Sequence, residues 1–147
     1  MTIRHIQALF LSLTALFLIS CTSTPIKSAD VTNGFDAKGT TQELVTQSLV
    51  WVEKNPIIDQ STLQVHYHER GHIIGTGMTK IENSFELNEI YTFTMQMDIK
   101  DNHAKIVFDN IILKEGSMRG KLDESVKAIK ANLTKIAASY EQALTSN

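Results

Sequence analysis

Hydrophobic positions along the chain fall into distinct patterns, each predicting a different kind of element. From Ile6 to Ile19 the chain is almost continuously apolar, broken only by Gln7, Ser12 and Thr14. Thr22 to Lys38 is rich in Ser, Thr, Asp, Asn and Gly, has no period, and reads as a flexible tether. A helix is predicted from Thr40, where Thr40 and Glu43 have the spacing of a capping box. Leu44, Val45, Leu49 and Val52 then recur at helical spacing with Trp51 at the stripe's edge, and Asn55-Pro56 ends the run.

The middle of the chain alternates with a period of two. Leu63, Val65 and Tyr67 point one way and Gln64, His66 and His68 the other. Glu69-Arg70-Gly71 reads as a tight turn, and His72 to Met78 as the returning strand. Gly75 and Gly77 inside that strand predict a bulge or a helix packed closely above it. Lys80 to Glu89 is polar and reads as a loop or weak edge. Tyr91, Phe93, Met95, Met97 and Ile99 alternate cleanly with Thr92, Thr94, Gln96 and Asp98, as expected of an antiparallel sheet wet on one face. A hairpin turn at Asp101-Asn102-His103 leads into Lys105 to Leu113, which is apolar on both faces and so predicted to be more enclosed.

After a break at Gly116 to Gly120, Leu122, Val126, Ile129, Leu133, Ile136, Tyr140 and Leu144 form one narrow helical stripe. The stripe suits a helix lying across the sheet, which needs a cover, and its first six positions also suit a coiled-coil seam. The order predicts an α+β domain over residues 39–147. In it, an antiparallel sheet of four to five strands carries the N-terminal helix and the long C-terminal helix on one face.

Composition narrows the class. The chain has 147 residues, 42% of them apolar and 20% charged, which fits one globular domain rather than disorder. Lysine and arginine number 14 against 16 acids, a net charge of −2. Residues 1–20 hold one base, Arg4, and no acid, so the remainder is one unit more negative. No basic face for nucleic acid is expected from such a balance. A single cysteine excludes an internal disulfide, so packing alone must hold the domain.

The N-terminal run is too short to span a membrane comfortably but suits the core of an export signal, with Arg4 and the α-amine before it. It ends in Leu18-Ile19-Ser20-Cys21, which resembles the lipobox of bacterial lipoprotein signals, Ile19 being a less usual occupant. The resemblance implies a signal peptide over 1–20, a diacylglycerol thioether on Cys21, and a mature chain beginning there, with 21–38 as tether. Thr22, where an aspartate would imply inner-membrane retention, implies outer-membrane delivery with the domain in the periplasm or at the surface. The membrane, through lipid on Cys21, is thus the first expected partner, and an envelope protein the second. Several acyl chains make such an anchor stable.

A second resemblance lies in the body of the chain. Leu49-Val50-Trp51-Val52 followed by Lys54-Asn55, the strand Gly71 to Gly77, and Tyr91-Thr92-Phe93-Thr94-Met95 are similar to a bacterial domain-of-unknown-function family with a TATA-binding-protein-like fold. It covers about half of the chain, from Thr40 to Leu113. It implies an α+β fold often carried behind lipoprotein signals, and no activity or catalytic residues.

The sharpest chemical candidate is His66, His68 and His72, with Glu69 able to add an oxygen. Two imidazoles at i and i+2 share a strand face, and a third on the returning strand would complete a zinc or copper set. The plainer reading makes them solvated residues of an exposed hairpin. Gly75-Thr76-Gly77 with Lys80 lacks the spacing of a phosphate loop, no serine sits in an elbow motif, and no carboxylates form an acid–base pair. No cofactor and no enzymatic activity are expected. A non-enzymatic binding module is the reading, with Gln64, His66, His68, Thr92, Thr94 and Gln96 as its contact surface and metal binding by the histidines as the alternative.

Overall fold

The computed structural model describes residues 24–66, 71–82, 88–116 and 122–146. Five strands form one antiparallel sheet: β1 (Val31–Asp36), β2 (Ile58–His66), β3 (His72–Glu82), β4 (Asn88–Lys100) and β5 (His103–Glu115). Their spatial order is β1-β5-β4-β3-β2. Two helices, α1 (Thr41–Glu53) and α2 (Leu122–Thr145), complete the α+β fold. The long helix covers the sheet, packing against β1, β3 and α1.

The alternation in β4 divides the sheet into two unlike faces. Tyr91, Phe93, Met95, Met97 and Ile99 are all buried beneath the helices, and Thr92, Thr94, Gln96, Asp98 and Lys100 are not. Ile73 and Ile81 of β3, Ala104, Ile106 and Phe108 of β5, and Val31 and Phe35 of β1 extend the inner face. From α2 come Ile129, Leu133, Ala137, Tyr140 and Leu144. Tyr140 sits where three elements meet. Its ring centroid is 5.4 Å from that of Phe35 and 5.0 Å from that of Trp51, and its hydroxyl is 2.8 Å from Ser48 Oγ. Leu122, at the first position of the stripe, is 48% exposed, because α2 begins beyond the part of the core that could cover it.

The expected tether is shorter than composition suggested. Lys27–Ala29 is a 3-10 turn, and Val31–Asp36 is a strand paired with β5 from Val31↔Phe108 to Asp36↔His103. The Ile26 amide already donates to the Ile111 carbonyl at 2.8 Å, so the body starts there rather than at residue 39. Both ends of the polar stretch from Lys80 to Glu89 are strand too, since β3 runs to Glu82 and β4 begins at Asn88.

β3 and β4 stay in register from His72↔Asp98 to Glu82↔Asn88, so the glycines of β3 mark no bulge on that side. On the other side β2 shifts register between Asp59↔Thr76 and Gln64↔Ile74, opposite Gly75. A Cβ on Gly77 would stand 2.6 Å from the Ile57 carbonyl oxygen and closer still to the Phe93 ring. The close neighbour is thus an aromatic ring of the next strand. β5 also bulges against β4: the register shifts between Ile90↔Glu115 and Tyr91↔Leu113, and again where Thr94 faces Asp109 but Thr92 faces Ile112. Asn110 takes φ +50 there, a left-handed conformation that asparagine tolerates better than most residues.

Candidate functional site

With the inner face sealed, the open face of the sheet is the surface available to a partner. Its centre is polar and apolar in turn, with one charged group, Asp109 of β5, opposite Thr94. Thr92, Thr94 and Gln96 of β4 lie half-buried there, between Ile74 and Thr76 of β3 on one side and Val107 and Ile112 of β5 on the other. Gln96 Nε2 donates to Asp109 Oδ2 at 3.0 Å, and Asn110 Nδ2 donates to Thr94 Oγ1 at 3.4 Å. Met78, in register with Thr92, is 49% exposed. The side chains that would meet a partner are therefore mainly short, branched or amide-bearing, together with the Met78 thioether and the Asp109 carboxylate. A partner on such a surface gains by covering its apolar parts and must hydrogen-bond its hydroxyls and amides to offset their desolvation.

Charge collects at the end of the face nearest the β4–β5 turn. His72 Nδ1 donates to Asp98 Oδ1 at 2.7 Å, and His103 Nδ1 donates to Asp36 Oδ1 at 3.1 Å. Asp98, Lys100, His103 and Lys105 line a shallow hollow of about 400 Å³. The pattern could have shown this end, because Asp98 and Lys100 continue the outward series of Thr92, Thr94 and Gln96.

Among the residues expected to form a contact surface, Thr92, Thr94 and Gln96 share one strand face, and exposed Gln64 joins them through the register Gln64↔Ile74↔Gln96. His66 lies opposite His72 in the β2–β3 ladder, and His72 opposite Asp98. His68, Glu69 and Cys21 lie outside the described residues. Among the described residues, no three His, Cys, Asp or Glu side chains are grouped as a metal site would need. Gly75, Thr76, Gly77 and Lys80 all lie within β3, in extended backbone unlike a phosphate-cradling loop.

One inward polar group was not anticipated. Glu89 is fully buried at the start of β4 and accepts from Tyr91 Oη at 2.7 Å and from Ser125 Oγ at 2.9 Å. Burial first, then the hydrogen bond to the Glu89 carboxylate, pushes the Tyr91 phenol up to about 12. Strand parity held the signal, since Glu89 shares the odd-numbered series of Tyr91 and Phe93. The arrangement fastens α2 to the sheet.

No family model matches the sequence, and neither does any curated protein. Two solved structures do resemble the fold. One is a TBP-like protein from Parabacteroides distasonis ATCC 8503, with a TM-score of 0.61 and 13% identity over 82% of this chain and 96% of the other. The other is a DUF4468 family protein from Bacteroides ovatus ATCC 8483, with a TM-score of 0.52 and 11% identity over 82% of this chain and 91% of that one. The likeness is one of fold. It agrees with the expectation of a TBP-like α+β domain and carries no site across, since function resides in particular residues.

Proposed function

We propose that this chain is a lipid-anchored protein of the bacterial envelope whose α+β body is a non-enzymatic binding module. It meets its partner with the open face of the sheet. The observation that carries the reading is the inequality of the two faces: the inner one is closed by both helices, and the outer one, uncovered among the described residues, is partly apolar and carries a single carboxylate, Asp109, at its centre. The lipobox at Leu18 to Cys21 supports the anchor, and the absence of a catalytic motif in the sequence supports a binding role. Nucleic acid is disfavoured as the partner, because Lys80, Lys100 and Lys105 on this face are interspersed with Asp98 and Asp109 instead of forming a basic stripe.

Photocross-linking in cells tests the surface. A benzophenone amino acid at position 94 is expected to give a discrete adduct, and one at exposed Thr46 on α1 none. Equal labelling at both, or none at 94, overturns the surface assignment. Labelling with radioactive palmitate tests the anchor separately. Incorporation is expected in the parent chain and absent after Cys21→Ser; incorporation that survives the substitution overturns it.

The register His66↔His72↔Asp98 favours a second reading, in which zinc or copper is held by His66, His68 and His72. Calorimetric titration with zinc separates the two. Micromolar binding abolished by His66→Ala with His68→Ala supports metal, and an absence of binding heat removes it.

A further inference from the structure

The sheet has two outer edges, and they differ. β2 loses register between Asp59↔Thr76 and Gln64↔Ile74, so its edge offers an interrupted row of backbone groups. β1 pairs with β5 without a break over all six of its residues. Among the described residues no strand pairs with its other side. Exposed edges in natural sheets are usually blunted by proline, lysine or a bulge, and Val31–Asp36 contains none of these.

The direction of its backbone groups follows from one bond. The Ala37 amide donates to the Asn102 carbonyl at 3.2 Å, so Ala37, and by alternation Phe35, Asn33 and Val31, turn their backbone groups toward β5. Thr32 and Gly34 then turn their N–H and C=O outward. α2 stands beside this edge as a second wall. Asn33 Nδ2 donates to Glu141 Oε2 at 2.9 Å, which fixes the spacing of helix and strand. Between them runs a groove of about 540 Å³, lined by Asp30, Thr32, Lys130, Thr134, Ala138 and Glu141, among others. The small side chains of Thr134 and Ala138 keep its floor open.

We infer that the β1 edge binds an extended peptide segment of another protein as a sixth strand, seated between β1 and α2 and bearing basic residues at both ends. The backbone requirement follows from the outward amides and carbonyls of Thr32 and Gly34, which a polypeptide in extended form can satisfy in series. The charge requirement follows from the two acids that bracket the strand. Asp30 lines the groove, and one of its carboxylate oxygens is buried with no hydrogen-bond partner among the described residues. Burial and then the nearby Asp109 raise its pKa, outweighing the opposite pull of Lys27 and of Lys130. Asp36, at the other end, is almost fully exposed. Pairing with a second copy of this chain is disfavoured by the same acids: setting Thr32 against Gly34 of the copy places Asp30 against Asp36, and like charges repel across a ladder.

The surface is distinct from the sheet's open face, so the two assignments stand or fall separately. The test uses the detergent-solubilised full chain and the fluorescein-labelled peptide Lys-Val-Thr-Val-Thr-Val-Lys, whose lysines match the spacing of Asp30 and Asp36. Anisotropy is expected to rise saturably, with at least tenfold weaker binding for the same peptide ended in glutamates. Thr32→Pro removes an outward N–H and leaves the β5 ladder intact, so binding is lost; Thr32→Val retains it. The double variant D30K/D36K, which leaves the backbone untouched, inverts the preference toward the glutamate-ended peptide. The inference is overturned by undiminished binding to Thr32→Pro, by indifference to the peptide's charge, or by amide shift changes at Thr92, Thr94 and Gln96 instead of Thr32 and Gly34.

Discussion

At the scale of single residues, Glu89 is the most consequential side chain in the fold. A buried carboxylate is tolerated only when donors surround it, and Tyr91 and Ser125 supply two. Glu89→Ala leaves both hydroxyls without that acceptor and opens a space under α2. It is expected to cost about 2–3 kcal/mol, with Glu89→Gln costing less because the amide oxygen still accepts. Urea unfolding of the two variants checks the order. Tyr140 gives a second prediction. Burial pushes its phenol up to about 12, with the Ser48 hydrogen bond acting in the opposite direction. Its folded pKa therefore lies above the unfolded value of about 10. The corresponding stability is present in full below pH 10 and is lost as pH rises through 12. The urea midpoint should fall over that interval, and fall less steeply in Tyr140→Phe.

At the scale of elements, the start of α1 shows how much local sequence can specify. The Thr40 side chain accepts from the Glu43 amide, and the Glu43 carboxylate accepts from the Thr40 amide at 2.8 Å, forming the box that the spacing predicted. The β4–β5 turn adds what the spacing could not show. Asp101 Oδ1 accepts from both the hydroxyl and the amide of Thr41 at 2.7 Å, and these bonds hold its carboxyl below the usual range. Thr40→Ala is expected to destabilise the fold by about 1 kcal/mol, measurable by thermal unfolding followed by circular dichroism. β4 was equally legible, because its alternation runs unbroken and its burial follows it.

β1 was not legible for a physical reason. Val31 and Phe35 are its only large apolar residues, four apart, with Asn33 reaching to α2 between them. Nothing local favours extension there; pairing with β5 and contact with α2 supply the stability. β5 misled in the opposite way. Its bulge at Asn110 changes the parity of the strand, so core positions run Ala104, Ile106, Phe108 and then Ile111. A strand that appeared apolar on both faces is a one-faced strand with an inserted residue. At the candidate site, parity exposed Thr92, Thr94 and Gln96. The charged end was harder to read, because His72 and Asp98 meet only through the β3–β4 register and Asp36 and His103 only through β1–β5.

At the scale of the whole molecule, the first strand is part of the body. Ala29, Val31, Phe35 and Ala37 are all buried, and without them Ala104, Ile106 and Phe108 would face water beside an unpaired β5. A chain beginning at Gly39 is therefore expected to aggregate or fail to unfold cooperatively, and one beginning at Thr24 to show a single sharp transition. Urea titration of the two, read by Trp51 fluorescence, decides the matter.

The bond between Ile26 and Ile111 also sets a length. Five residue steps separate Cys21 from Ile26, and at about 3.4 Å each the chain between them spans at most roughly 17 Å. If Cys21 carries acyl chains, as proposed above, a leash that short would hold the body within the headgroup layer or just above it. On that proposal, whatever the domain grips would have to come to the bilayer surface, since a protein moored so closely would have no slack with which to search the space beyond.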